Sequence, residues 1–218
     1  MERPRTLSLA VITISLVLCH QSALATDPGY ETKRASFINK RQTTDQVVSA
    51  IPLQPIKNIQ LTFVELLEKE PYVDSKARFK IRPPKGWLKQ TKGLEPHDHV
   101  VFCTPPGDLE DGQFIWANIN VRSSPDPRLD IDCNDLHDEF LDMGGRIMDS
   151  RIVWVNDRKA CLLVGTASIM GSRRRFLQQG ILGQGKLFTV SAVAFESIWE
   201  KYANAIAACL STFELINQ

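Results

Sequence analysis

Alternation of apolar and polar positions predicts three β-strands in the middle of the chain. Arg78–Arg82 alternates charged and apolar residues, His99–Cys103 is a short apolar run, and the odd positions of Phe114–Val121 are apolar. A two-residue period is typical of a strand with one buried face. Prolines follow each run, and because proline cannot donate to a sheet ladder, they mark the strand ends.

Two further pairs of apolar runs, each joined by a few turn-forming residues, predict two β-hairpins. The first joins Ser150–Val155 to Lys159–Ser168 through Asn156-Asp157, and the second joins Arg174–Leu182 to Lys186–Phe195 through Gly183-Gln184-Gly185. Strands joined by such short turns must be antiparallel.

Two segments have the spacing of an amphipathic helix. The first spans Cys133–Met143, and the second begins at Ser197, where Glu200 completes the spacing of a capping box. The apolar face of the first is Leu136, Phe140 and Met143, and that of the second is Ile198, Tyr202, Ala205, Cys209 and Phe213.

This order of elements predicts an α+β fold. The order is three strands, a helix, four strands and a helix, and each helix has one apolar stripe. An antiparallel β-sheet flanked by helices accommodates this order. We assign this sandwich to residues 76–218, after an N-terminal extension, residues 26–75, that holds a candidate short helix between Ile56 and Leu67. The tryptophans are expected to be mostly core anchors: Trp87, Trp116, Trp154 and Trp199.

Residues 1–25 have the order of a secretory signal peptide. Arg3 and Arg5 form a basic start, Leu7–Leu18 is an apolar run of 12 residues, and Ala23-Leu24-Ala25 is a small-x-small processing site. The apolar run is too short for a transmembrane helix, which needs roughly 20 residues. We therefore expect a periplasmic or secreted protein with no transmembrane segment after the signal peptide.

Cys19 offers a rival interpretation of the same segment. Bacterial lipoproteins carry their lipid on a cysteine that follows a Leu-x-x triplet ending in a small residue. Here the triplet ends in the bulky Leu18. Processing after Ala25 is therefore favoured over a lipid anchor, and the lack of an Asn-x-Ser/Thr sequon fits a bacterial source.

Composition and charge exclude several classes of protein. The 218 residues are 43% hydrophobic and 23% charged, which is ordinary for a globular protein and unlike collagen, a disordered chain or a polytopic membrane protein. Lys and Arg total 26 against 25 Asp and Glu, a net charge of +1. No global basic field is present to hold nucleic acid or anionic lipid.

The cysteines that follow the signal peptide suggest disulfides. They are Cys103, Cys133, Cys161 and Cys209. An even count in an oxidising compartment favours two disulfides over four thiols. Three connectivities are open, and the sequence does not choose among them.

Residues with metal-binding or catalytic chemistry are sparse. His97, His99 and His137 could supply metal ligands, with Cys133 one helical turn before His137. Surface histidines are the favoured interpretation, because there is no close cysteine pair and no His-Glu-x-x-His helix. A Gly-x-Ser-x-Gly elbow is also missing. We therefore predict no enzyme activity and no cofactor.

Arg173, Arg174 and Arg175 form a short basic run in an otherwise neutral chain. Side chains of a strand alternate between its faces, so at most two of the three lie on one side. The run is a candidate contact for an anion or a partner. A solvated strand edge that discourages sheet aggregation is the favoured alternative.

Several short motifs resemble the PsbP-like (Mog1/PsbP/DcrB) family over about residues 76–214. They are Phe79-Lys80-Ile81-Arg82-Pro83-Pro84-Lys85-Gly86-Trp87, Leu162–Ser168, Phe188–Ala192 and the closing helix that ends at Phe213. The resemblance implies a secreted, mostly non-enzymatic accessory or binding module. Family members serve photosystem assembly, small-GTPase regulation or undefined envelope roles and share no set of functional residues, so none is carried over.

These observations favour an exported, non-catalytic accessory protein of the cell envelope. It would act through contacts with an envelope protein that the sequence does not identify. The alternatives are a periplasmic protein that binds a small ligand or a metal, a lipoprotein anchored through Cys19, and an enzyme whose site has no recognisable motif.

Overall fold

The computed structural model of the chain describes residues 63–105, 109–110, 113–114, 116–126, 128 and 130–216. The predicted signal peptide, Cys19 and most of the N-terminal extension lie outside the described residues. In chain order the elements are β1 (Tyr72–Asp74), β2 (Phe79–Ile81), β3 (Leu88–Gln90), β4 (Asp98–Cys103), β5 (Leu109–Glu110), β6 (Gln113–Phe114), β7 (Ala117–Pro125), α1 (Asn134–Asp142), β8 (Arg146–Val155), β9 (Arg158–Ile169), β10 (Ser172–Gly183), β11 (Lys186–Phe195), α2 (Trp199–Ser211) and β12 (Glu214–Leu215).

The main sheet has seven antiparallel strands in the order β3-β4-β7-β11-β10-β9-β8. After β7 the chain crosses to the far edge through α1, and it then returns strand by strand from β8 to β11. β11 closes this path by pairing with β7, with Val190 opposite Val121. The predicted α+β class, an antiparallel sheet with helices on its faces, is confirmed.

Two-residue turns set the register of the four long strands. Asn156-Asp157, Met170-Gly171 and Gln184-Gly185 have positive φ at both residues, the type I′ geometry that matches the twist of a hairpin. The first and third turns confirm the two predicted hairpins. The turn between β9 and β10 is not predicted by the sequence, because methionine rarely adopts a left-handed backbone.

A second, three-stranded sheet contains β2, which the sequence places wrongly in the main sheet. The order is β1-β2-β12, with Lys80 of β2 between Val73 and Glu214. β1 and β12 are too short to show an alternating pattern. The folded unit also begins before the predicted boundary at Lys76, because β1 pairs with β2 and Leu67 is buried.

One face of the main sheet carries the core, and it is covered by α2 and the three-stranded sheet. The buried side chains include Phe79 and Ile81 of β2, Phe102 of β4, Ile119 and Val121 of β7, Phe188 and Val190 of β11, and Ile206 and Leu210 of α2. Full burial of each such side chain contributes about 1.5–3 kcal/mol. Packing of one face, more than helix propensity, therefore holds α2 in place.

α1 covers the opposite face of the main sheet over β9 and β10. Leu136 and Phe140 of its predicted stripe are buried, and the Phe140 ring packs edge-on against Phe176 at 5.2 Å between centroids. Gly165 permits this approach, because a Cβ there would lie 2.4 Å from the Phe140 ring. A disulfide between Cys133 and Cys161 ties the start of α1 to β9.

The helix boundaries differ from the predicted ones. α2 begins at Trp199 after a single 3-10 turn, and its N-cap residue is Ile198 instead of the predicted Ser197. The described part of the predicted N-terminal helix is a 3-10 turn, Val64–Leu66. Within the described residues, no helix has both the length and the apolar character needed to cross a membrane.

The burial of the tryptophans varies more than predicted. Trp116 and Trp199 are buried, and Trp87 packs edge-on against Tyr202 at 5.7 Å. Trp154 on β8, in contrast, is 59% exposed. The prediction of a core anchor is therefore wrong for Trp154, because β8 is the last strand of its sheet.

One disulfide forms where the cysteine count suggests two. Cys103 and Cys209 are buried thiols. Cys209 belongs to the core between the main sheet and α2, whereas Cys103 follows Phe102 of that core and points to the opposite face. Two thiols on opposite faces of a sheet cannot bridge. Burial raises the pKa of Cys209 far above its ordinary value, so it stays a protonated thiol.

Removing the Cys133–Cys161 disulfide is expected to destabilise the protein by roughly 3 kcal/mol. The bond closes a loop with a sequence separation of 28 residues, and cross-linking a loop of that length removes conformational entropy from the unfolded chain. Urea unfolding of a double Cys133→Ala, Cys161→Ala variant measures the effect. Wild-type protein unfolded in reductant should lose a similar free energy of unfolding. An unchanged urea midpoint in both experiments would contradict the prediction.

Candidate functional site

Two adjoining clefts flank β12 at the end of the sandwich that carries the β8–β9 turn. The first has a volume of about 360 Å³ and combines apolar walls, Leu67 and Pro71 among them, with polar groups. The second has a volume of about 490 Å³ and is walled by Ile181 and Leu215. We call the charged and amide residues that line the two clefts the tip surface: Lys80, Arg82, Asn156, Asp157, Arg158 and Glu214.

β12 separates the clefts and is held from two sides. On one side, Lys80 Nζ lies 3.0 Å from Glu214 Oε1. On the other, Asn156 Nδ2 donates a hydrogen bond of 2.8 Å to the Phe213 carbonyl. Asn156 is also a residue of the type I′ turn, with φ +45°. The residue that shapes the hairpin therefore also positions the last strand.

Hydrogen bonds at the end of α2 form the rim of the first cleft. Thr212 Oγ1 accepts a bond of 2.9 Å from the Arg82 amide and donates one of 2.7 Å to the Cys209 carbonyl. Gln179 Nε2 donates to the Leu210 carbonyl at 3.2 Å. The two carbonyls also accept hydrogen bonds from the Thr212 and Phe213 amides, so the end of the helix is well bonded. The rim is thus tied to both sheets.

The tip surface carries charges of both signs that remain accessible. The side chains of Lys80 and Glu214 are 39% and 44% exposed. An ion pair at such exposure contributes only about 0–1 kcal/mol. Either group can therefore exchange its internal contact for one with a binding partner at little cost.

A second polar cluster lies between the two sheets and joins β1, β4 and β7. His99 Nε2 is 2.8 Å from Ser123 Oγ, and His99 Nδ1 is 3.9 Å from Asp74 Oδ2. Serine, histidine and aspartate in this order form the triad of many hydrolases.

The surroundings of this cluster favour a structural role. Ser123 is only 5% exposed, and Asp74 accepts a 2.7 Å bond from the Ala77 amide, which caps the turn after β1. The imidazole packs against Phe79 and Phe188, with ring centroids 5.6 and 6.4 Å away. The cluster therefore joins the two sheets through partly buried polar contacts. Burial lowers the pKa of His99 below its ordinary value of 6.5, and Asp74 opposes that shift.

The three histidines considered as metal ligands are not brought together. His99 is half-buried on the α2 side of the main sheet, whereas His137 is on α1, on the opposite side, and contacts Ser150. Cys133 is in the disulfide. Within the part of the chain that the structure describes, no group of three or more His, Cys, Asp or Glu side chains could hold a metal ion. His97 occupies a turn at φ +82°.

The arginine run divides between the two faces of β10. Arg173 and Arg175 lie 3.1 and 3.4 Å from the carboxylate of Glu196. Arg174 is 2% exposed, and its guanidinium carbon lies 3.0 Å from the centroid of the Phe195 ring. The predicted partner contact is therefore wrong for Arg174, which is buried. The Arg173 side chain remains 53% exposed.

The fold has counterparts among solved structures. The solution structure of cyanobacterial PsbP (CyanoP) from Synechocystis sp. PCC 6803 superposes with a TM-score of 0.51 and 19% sequence identity, covering 67% of this chain and 91% of that one. The chain has a PsbP-like fold. The resemblance seen in the sequence motifs is confirmed at the level of fold.

Two other similar structures come from different organisms. LpqN of Mycobacterium tuberculosis, a protein involved in cell envelope biogenesis, has a TM-score of 0.49, 14% identity and coverage of 76% of this chain and 99% of that one. The Ran-binding protein Mog1p of Saccharomyces cerevisiae has a TM-score of 0.46, 11% identity and coverage of 69% and 97%. No protein-family model and no curated protein matches the chain.

None of the tip-surface residues is among the site candidates obtained from the sequence. They come from β2 and the residue after it, from the β8–β9 turn and the first residue of β9, and from β12, which are far apart along the chain. Asn156-Asp157 is predicted as a turn, but its contact with the last strand has no local signal. The site arises from the three-stranded sheet, which the sequence pattern does not reveal.

Acidification is expected to destabilise the protein through His99. Because burial holds its folded-state pKa below 6.5, the unfolded chain binds the proton more readily. The stability that this group contributes is complete above pH 6.5 and is lost as the pH falls towards its folded-state pKa. His99→Gln should therefore show a shallower loss of unfolding free energy than wild type when urea unfolding is compared at about pH 7.5 and about pH 5.

Ser123→Ala is the matched control for this experiment, because it removes the hydrogen bond and keeps the titrating imidazole. It should lower stability at both pH values and retain the wild-type slope. Equal slopes for wild type and His99→Gln would contradict the assignment.

Proposed function

We propose that this chain is an exported accessory protein of the cell envelope that binds another protein at the tip surface. The observation that carries the proposal is the pair of adjoining clefts around β12, which place apolar walls beside charged groups of both signs. Protein interfaces combine apolar pockets with a polar rim in this way.

Export is supported by two independent features. Residues 1–25 have the order of a signal peptide, and Cys133 and Cys161 form a disulfide. Disulfides form and persist in oxidising compartments and are rare in the cytosol. Both features favour a location outside the cytoplasm.

Binding is favoured over catalysis by the chemistry of the clefts. The described residues that line them include no histidine or cysteine. The Ser123-His99-Asp74 cluster lies elsewhere, and its serine is buried. Both clefts open to solvent, whereas small-ligand sites enclose most of their ligand. A polypeptide segment with charges of both signs is the occupant that suits this lining.

Site-specific photocrosslinking in the native envelope tests the proposal. A photoreactive residue at Asp157 should capture a discrete partner. Met170 is the matched control position, because it is 67% exposed and lies in the turn at the other end of β9. Capture at Asp157 and not at Met170 is the expected result, and equal capture at both positions would contradict the proposal.

The captured partner, once purified, allows a quantitative test. The double variant Arg82→Gln, Asp157→Asn removes one charge of each sign and keeps a residue that tolerates the positive φ of the turn. Calorimetry should show at least a tenfold weaker affinity, about 1.4 kcal/mol, with Met170→Lys unchanged. Wild-type affinity in the double variant would rule out the tip surface as the binding site.

A further inference from the structure

The outer edge of β8 exposes apolar side chains beside one Asp149–Arg151 ion pair, and no described strand pairs with it. β8 is the last strand of the main sheet, and within the described residues nothing pairs with its outer side. Ile152 is 45% exposed and Trp154 is 59% exposed. Proteins usually protect such an edge with charges, proline or a bulge, because it is a template for pairing with another chain.

The regular part of this edge is seven residues long. A register shift between Ile147 and Asp149 disturbs the strand near its start, which leaves Asp149–Val155 as continuous strand. This stretch contains no proline. It is therefore able to pair along its full length.

The hairpin register shows which backbone groups point outwards. Val155 lies opposite Arg158 across the two-residue turn, and that pair is hydrogen bonded in a hairpin of this type. Hydrogen-bonded and non-hydrogen-bonded residue pairs alternate along an antiparallel ladder. The backbone N–H and C=O groups of Ser150, Ile152 and Trp154 therefore point away from β9. Ile152 lies opposite Cys161, whose disulfide partner Cys133 precedes α1. The side chains of Ser150, Ile152 and Trp154 therefore lie on the α1 face of the sheet.

We propose that this edge pairs with the same edge of a second copy of the chain, antiparallel and with Ile152 on the two-fold axis. This register uses all seven regular residues and sets Ser150 opposite Trp154 of the second copy. A register centred on Arg151 would oppose two like charges. One centred on Ser150 would require pairing by Met148, inside the irregular stretch.

The edge is self-complementary in this register, which favours a second copy over an unrelated strand. Two Ile152 side chains meet at the axis, and each Trp154 lies opposite Ser150, whose hydroxyl contacts His137 of α1. Leu141, one helical turn beyond His137, is 53% exposed and is available to Trp154 of the second copy. The net charge of +1 produces little repulsion between copies. Isologous pairing of this kind is the commonest symmetry of protein dimers.

Sedimentation velocity of the purified full chain over a range of concentrations tests the dimer. Wild type should dimerise reversibly, and Ile152→Lys or Trp154→Lys should raise the dimer dissociation constant at least tenfold. Leu88→Lys is the matched control, because Leu88 is 52% exposed on β3 at the opposite edge of the same sheet. A wild-type monomer at all concentrations, or an equal effect of Leu88→Lys, would overturn the proposal.

Cysteine pairing tests the register separately. Opposed residues of a hydrogen-bonded antiparallel pair have Cα atoms about 5.5 Å apart, within reach of a disulfide. Ser150→Cys and Trp154→Cys proteins, mixed under mild oxidation, should form a cross-linked dimer, and neither should do so alone. A cross-link in either variant alone, or none in the mixture, would overturn the register centred on Ile152.

Discussion

Three phenylalanine rings hold the three-stranded sheet on the main sheet, and both clefts depend on them. The ring centroid of Phe79 lies 5.5 Å from that of Phe213 and 6.3 Å from that of Phe188. The centroids of Phe188 and Phe213 are 5.9 Å apart. All three are at most 1% exposed. Each aromatic pair contributes about 0.5–1.5 kcal/mol beyond the burial of its area. β12 itself pairs with β2 through only two residues, so the buried side chains of Leu215 and the adjacent Phe213 anchor it in the core.

The two proposed surfaces follow from the same topology. The chain leaves β7, crosses on α1 and begins β8 at a free edge, and the turn after β8 then reaches the last strand through Asn156. The edge is the proposed contact with a second copy, while the turn shapes the clefts of the proposed partner-binding surface. In an antiparallel dimer the two β8–β9 turns lie on opposite sides of the axis. Such a dimer would present two separate tip surfaces.

Local patterns predict the elements that lie within continuous stretches of sequence. Asn156-Asp157 and the glycine-rich turn at 183–185 predict the two hairpins, and the apolar stripe with Leu136 and Phe140 predicts α1. The three-stranded sheet is not predicted, because β1 and β12 are too short to alternate and β12 pairs with β2 across most of the chain. Trp154 shows the same limit: its residue type suggests burial, but its exposure depends on which strand ends the sheet. The clefts depend on both features and are therefore visible only in three dimensions.

Hydrogen exchange of a Phe213→Ala variant tests the central role of the phenylalanine cluster most directly. Loss of this ring should speed amide exchange in β1, β2 and β12 while β9 and β10 keep their protection. Phe140→Ala is the matched control, since Phe140 is equally buried but packs under α1 on the other face, and it should affect α1 instead. Unchanged protection of the three-stranded sheet in Phe213→Ala, or a loss spread evenly over the main sheet, would contradict the account.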